Sequence, residues 1–204
     1  MKLKVVSLFV FFFIIIVIDC AEAYTYSLAL RYQSVKEFPS LRQKFGSTIG
    51  IVPFKDERRE QSYIGIHIPV LGLATHFESN PSPLEKALQQ SLRDALSRSG
   101  MRVVSIPDWD GTPESLKKID TDSVLMIEIN KFWTEGQASF FRTNIKTVVQ
   151  LVIHLGVKHE GKVFSRNIDV EKEITVPRST PERIEGIINQ ILTDIFDAYF
   201  SSPY

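Results

Sequence analysis

Residues 123–176 hold three strand-like stretches separated by only two turns, and nothing else in the chain restricts its fold as strongly. Ser-Val-Leu-Met-Ile-Glu-Ile-Asn-Lys-Phe-Trp (123–133) is apolar on both faces in its first half and alternates from Glu128. That is the pattern of a strand inside a sheet. Residues 143–158 form a second long strand, and His159-Glu160-Gly161-Lys162 supplies a hairpin turn into residues 163–176. Three strands joined in this way make an antiparallel meander, so the fold has a sheet at its centre.

The remaining sequence supplies further strands and the helices that cover them. Tyr24, Tyr26, Leu28, Leu30 and Tyr32 recur at period two, as in a half-buried strand. Thr48-Ile-Gly-Ile-Val-Pro-Phe54 and residues 101–106 read as short apolar strands. Ser82, Pro83 and Glu85 predict a capping box that opens a long helix striped by Leu84, Leu88, Leu92 and Leu96 and closed by Gly100. Thr112-Pro113-Glu114 starts a short helix. Thr180-Pro181-Glu182 starts a second long one, with Ile184, Ile188, Ile191, Leu192, Ile195 and Tyr199 on its apolar stripe. The expected class is α/β (α+β): a mixed sheet with an antiparallel C-terminal meander, two long helices and one short helix packed on it.

The N-terminus predicts export. Lys2 and Lys4 precede the apolar residues 5–18, and Ala21-Glu22-Ala23 offers small residues for cleavage. The apolar run falls short of the roughly 18 residues of a membrane-spanning helix. Cleavage after Ala23 fits better than lipidation at Cys20, because Asp19 stands where a lipoprotein signal carries a small residue. Residues 1–23 are therefore read as a signal peptide and 24–204 as one envelope domain. The expected location is the periplasm, or the outer membrane if Cys20 is lipidated.

Composition narrows the function classes. The chain has 24 basic and 24 acidic side chains, and removing Lys2, Lys4, Asp19 and Glu22 leaves the two still equal. No net field attracts nucleic acid. Cys20 is the single cysteine, so a chain cut after Ala23 has neither a disulfide nor a thiolate site, and its core alone must hold it. No motif implies a cofactor or a metal: no Gly-x-Ser-x-Gly, Gly-x-Gly-x-x-Gly, phosphate-binding loop or His-Glu-x-x-His occurs. His154 and His159 are expected on opposite faces of a strand. Asp108, Asp110, Asp120 and Asp122 read as turn and capping residues. Asp56 and Glu57, beside Arg58 and Arg59, read as a solvated charged loop.

Residues 61–83 do not fit a simple element. Ile64, Ile66, Ile68 and Val70 alternate with Gly65, His67 and Pro69, and Leu71, Leu73 and Phe77 follow. One reading is an edge strand or packed arm, with Pro69 excluding it from the sheet interior. The other is an apolar loop that touches a partner or a membrane. Ile64, Ile66, Ile68, Val70, Leu73 and Phe77 are the candidate contact residues on the second reading. Trp133 and Phe141, which with Phe140 flank one hairpin, join them.

The string Val52-Pro53-Phe54-Lys55-Asp56-Glu57-Arg58, then Ile64-Gly65, the Leu-striped helix ending at Gly100, and Ile127-Glu-Ile-Asn-Lys-Phe-Trp133 resemble the YajG-type bacterial envelope lipoproteins. The resemblance runs over roughly residues 47–175. It implies an α/β envelope domain of the kind used by accessory components of outer-membrane assemblies, with no catalytic residues to carry over. Members carry a lipoprotein cysteine, whereas here Asp19 precedes Cys20. The leading expectation is a non-enzymatic envelope protein that binds a protein or lipid component, with no nucleic acid and with a membrane surface reached through a lipid anchor. The rivals are a small-ligand or lipid carrier, which needs an apolar cavity beneath residues 61–77, and a hydrolase or metal-dependent enzyme. The enzyme needs three of Asp56, Asp108, Asp110, His67 and His154 to converge.

Overall fold

The computed structural model describes residues 24–34, 41–81 and 83–202. Its first half contains β1 (Tyr24–Ala29), α1 (Leu41–Phe45), β2 (Thr48–Ile51), β3 (Lys55–Asp56), β4 (Gly65–Ile68), β5 (Thr75–Asn80), α2 (Leu84–Arg98) and β6 (Arg102–Ser105). Its second half contains α3 (Pro113–Leu116), β7 (Ser123–Ala138), β8 (Arg142–Val157), β9 (Lys162–Pro177) and α4 (Pro181–Ser201). The α/β class with an antiparallel C-terminal meander is the fold observed: β7, β8 and β9 pair antiparallel along nearly their whole lengths.

The long strand β7 organises the rest of the sheet. One of its edges is taken by β8. The other is met in succession by β2 at residues 123–125, β3 at 128–129 and β4 at 134–137, all parallel to it. Beyond them, β6 pairs with β2, and β5 and then β1 extend from β4. A register shift between Ile129 and Lys131 interrupts the β7 alternation. Ile127 and Ile129 face the main core before it, and Phe132 does so after it. The bulge keeps one face apolar through a change of parity. The first half of β7 is buried on both faces, because Val124 and Met126 enter a second cluster with Val52, Trp109 and Leu116.

The edge reading of residues 64–68 gives way to an interior one. β4 lies between β5 and β7, and Pro69 comes just after its last residue, where no ladder donor is needed. Gly65 permits this, since a Cβ there would lie 2.1 Å from the Thr134 carbonyl oxygen. Ser82 of the predicted capping box lies outside the described residues; Pro83 is the N-cap of α2 with no side-chain bond, and its carbonyl accepts from the Lys86 and Ala87 amides. The helix end does follow expectation. Gly100 takes a positive φ of 82° and donates to Ser97, while Met101 donates to Leu96, closing the turn as a Schellman motif.

Helix α4 lies between two strands that are far apart in the sheet order. Along β1 and the residues just after it, the Tyr26 hydroxyl donates to Glu182 (2.9 Å), the Ala29 amide to Glu185 (2.9 Å), the Arg31 amide to Asn189 (2.8 Å) and the Tyr32 hydroxyl to Asp197 (2.8 Å). Along β9, Lys172 pairs with Asp194 at 3.2 Å and Arg166 donates to the Ser202 carbonyl. The helix follows both edge strands over most of its length, so the strands from β1 through β5, β4, β7 and β8 to β9 curl around it. Its side chains also occupy backbone groups of β1 that would otherwise form an open edge. Ile184, Ile188, Ile191, Leu192, Ile195, Phe196 and Tyr199 fill the enclosed core.

Candidate functional site

The parallel register of β4 on β7 decides where the candidate contact residues fall. Ile68, the last residue of β4, is opposite Gln137, so the β4–β5 connection and the β7–β8 turn emerge at the same end of the sheet. β1 starts there too, with Tyr24 opposite Thr75. Tyr24, Ile68, Val70, Leu71, Leu73, Phe140 and Phe141 are the exposed large hydrophobic residues among those described, and all seven are at this end. Leu71 is 85% exposed and Phe141 is 88% exposed. Apolar side chains gathered in this way on otherwise polar loops form a surface suited to binding.

Not every candidate belongs to this surface. Ile64 and Phe77 are 1% and 0% exposed and lie in the main core, which removes them from the contact set. Ile66 is half-buried in the middle of β4. Trp133 is half-buried opposite Val148, several residues back along β7 from the hairpin, and so does not flank the sheet end. Ile68, Val70, Leu73 and Phe141 are brought together. Tyr24, Leu71 and Phe140 complete the surface; the clue to them was the apolar content of Val70-Leu-Gly-Leu73 and Phe140-Phe141 in stretches that are otherwise turns. Cys20 lies outside the described residues.

His67 stays below its usual pKa because it is partly buried, which favours the neutral imidazole. The Glu182 carboxyl is lowered by bonds from Thr180, from its own backbone amide and from the Tyr26 hydroxyl. Beside the hairpin, Gln137, Ala138, Ser139, Arg142, Asn144 and Thr175 line a polar hollow of about 420 Å³.

Residues that could do chemistry are dispersed. His67 is opposite Gly136 and His154 opposite Met126, which separates them by roughly 30 Å at the ordinary rise of a strand. His154 bonds Ser165 at 2.7 Å and lies 3.7 Å from Glu128. His159 is in the turn at the far end of the sheet, 3.9 Å from Glu160. Asp110 accepts from the Thr112 amide and hydroxyl and from Ser115, at the start of α3. Asp122 reaches farther than a turn residue and accepts from the Ser47 and Thr48 amides at 2.8 and 2.9 Å. The solvated reading of Asp56 is overturned. Its carboxylate is held bidentately by Arg58 at 2.8 Å twice, with both side chains buried. Among the described residues no three His, Cys, Asp or Glu side chains gather into a metal-binding group, and no helix is long and apolar enough to cross a membrane.

A groove of about 400 Å³ runs between β9 and α4, lined by Ile168, Val170, Ile191, Ile195, Ala198 and Tyr199 among others. The Tyr199 hydroxyl is buried there without a hydrogen-bond partner.

No family model matches this chain, and no curated protein does. A solved structure shares the fold. The protein XCC0632 from Xanthomonas campestris, described by the family model DUF330, superposes with a TM-score of 0.55 at 17% identity, over 87% of this chain and 93% of its own. An uncharacterized protein gives a TM-score of 0.49 at 12% identity, covering 90% and 100% of the two chains. The lipoprotein GNA1162 from Neisseria meningitidis gives 0.39 at 15% identity, covering 74% and 99%. At 17% identity the likeness to XCC0632 is one of fold.

Proposed function

We propose that this chain is a non-enzymatic exported envelope protein, an accessory or interaction component of an outer-membrane assembly, and that the apolar end of its sheet is its contact surface. The observation that carries the reading is the convergence of seven exposed apolar side chains from three separate segments on one end of an otherwise polar surface. The export-type residues 1–23 and the resemblance to YajG-type lipoproteins support an envelope location. The Asp56–Arg58 pair gives a structural purpose to the Asp-x-Arg string of that resemblance, since it organises the loop leading into β4.

A photo-crosslinking residue at position 71 or 141, in cells, tests the reading, with position 159 at the opposite end as control. Crosslinks to an envelope component are expected at 71 and 141, and substituting Val70, Leu73 and Phe140 with Asp, which leaves both reporter positions in place, abolishes them without lowering thermal stability. Equal labelling at all three positions would count against this surface. Deleting residues 62–78 is not a usable test, because it removes β4 and most of β5.

The groove between β9 and α4 favours a second reading, a carrier of a small apolar ligand, in which the Tyr199 hydroxyl bonds a polar group of the guest. Native mass spectrometry of the protein from its host would detect the added mass. A bare protein under gentle ionisation counts against it.

A further inference from the structure

We propose that the apolar end of the sheet lies on the surface of a phospholipid bilayer. The inference rests on the reading of this end as the contact surface and names what covers it.

The first support is the path of the chain. The residues that precede the described fold join it at Tyr24, which is itself part of the apolar surface and 72% exposed. Only Ala21, Glu22 and Ala23 separate Cys20 from Tyr24, and a fully extended chain covers at most about 3.5 Å per residue. In the form lipidated at Cys20, the alternative to cleavage after Ala23, the acyl group holds the membrane within a few residues of this end. A membrane attachment so short leaves little room for a separate partner between the bilayer and the loops. The second support is chemical. Tyr24, Phe140 and Phe141 are aromatic and sit with Val70, Leu71 and Leu73 at loop tips, and aromatic side chains favour the headgroup level of a membrane. Arg142 follows the Phe pair and lines the polar hollow with Ser139, Asn144 and Thr175, while Arg178 and Arg183 flank the start of α4 at the same end. These cations can meet lipid phosphates. The acids at this end include Glu135 and Glu182, and Glu182 already accepts from the Tyr26 hydroxyl.

The test uses the full chain with Cys20→Ser, carrying a single cysteine by Leu71→Cys, Phe141→Cys or His159→Cys. Each is labelled with an environment-sensitive dye and bound to phosphatidylethanolamine–phosphatidylglycerol vesicles with brominated acyl chains. All three positions are exposed, so labelling leaves the core intact. The expected result is several-fold stronger quenching at 71 and 141 than at 159. The proposal is overturned if the protein sediments with the vesicles through residues 1–23 while all three dyes remain equally unquenched. If positions 71 and 141 are unquenched but crosslink to an envelope protein, the contact-surface reading stands and the bilayer inference fails.

Discussion

The guanidinium of Arg58 grips the carboxylate of Asp56 through two contacts of 2.8 Å, and the two side chains are only 4% and 7% exposed. The same guanidinium donates to the Tyr63 carbonyl at 2.8 Å and the Gln61 carbonyl at 3.2 Å, so one cation folds the loop between β3 and β4. Replacing Asp56 by Ala strands a buried charge and is expected to cost about 3 kcal/mol. The double variant Asp56→Ala, Arg58→Ala should lose less than the sum of its singles, because each single already breaks the shared pair. Urea denaturation of the three variants measures both effects.

Gly65 to Ala should be among the most damaging small substitutions in the sheet. The added methyl would fall 2.1 Å from the Thr134 carbonyl oxygen, which is backbone and cannot turn aside. A loss of about 3 kcal/mol is expected as β4 is pushed off β7. Gly161 to Ala adds a methyl that meets nothing within 4 Å, so its strain is confined to a positive φ of 62° and its melting temperature should fall less.

The carboxyl of Asp122 lies below its usual pKa because of the Thr48 amide and then the Ser47 side chain and amide. A folded pKa depressed in this way stabilises the protein above the ordinary carboxylate pKa, and the contribution disappears as pH falls through the lowered value. Asp122→Asn should therefore be less stable than the parent at neutral pH, with the gap narrowing as both are taken toward strong acid. Urea midpoints between neutral and acidic pH check the sign; a gap that widened with acid would contradict it.

Tyr32 joins three elements: its hydroxyl donates to Asp197 of α4 at 2.8 Å, its amide to Ser91 of α2, and its carbonyl accepts from Arg98. Tyr32→Phe leaves the aromatic packing on Phe196 and Phe200 but removes the hydroxyl that donates to the buried Asp197 carboxylate. A cost of about 1–3 kcal/mol follows, measurable by thermal denaturation.

By contrast, Leu71→Asp with Phe141→Asp should change stability by less than about 0.5 kcal/mol per site, as substitutions on an exposed surface do. A dye or crosslinker carried at position 73 should lose its vesicle quenching and its crosslinks in the same variant. A large drop in melting temperature would mean that the two residues serve the fold instead.

The meander was legible because its strands are long and their alternation is uninterrupted over most of their length. The same holds for α2 and α4, whose leucine and isoleucine stripes are the buried faces observed. Residues 61–83 were harder, since Pro69 looked like a bar to the sheet interior when it only ends the strand, and Gly65 gave no hint of the Thr134 carbonyl it accommodates. Asp56 and Arg58 looked solvated because two opposite charges two residues apart say nothing about burial. The apolar end was visible in fragments, Val70-Leu-Gly-Leu73 and Phe140-Phe141. Their union depends on Ile68 standing opposite Gln137, a register between strands some seventy positions apart that local patterns do not encode.

The embrace of α4 by β1 and β9 has a consequence in time. Tyr26 meets Glu182 and Tyr32 meets Asp197, so the first strand of the fold is fastened by its last helix. Contacts this distant in sequence form late and slowly. A polypeptide emerging from its amino end cannot complete its interior until almost all of it has been synthesised. Its interior therefore stays open until the carboxyl-terminal helix has emerged, and the latch closes last.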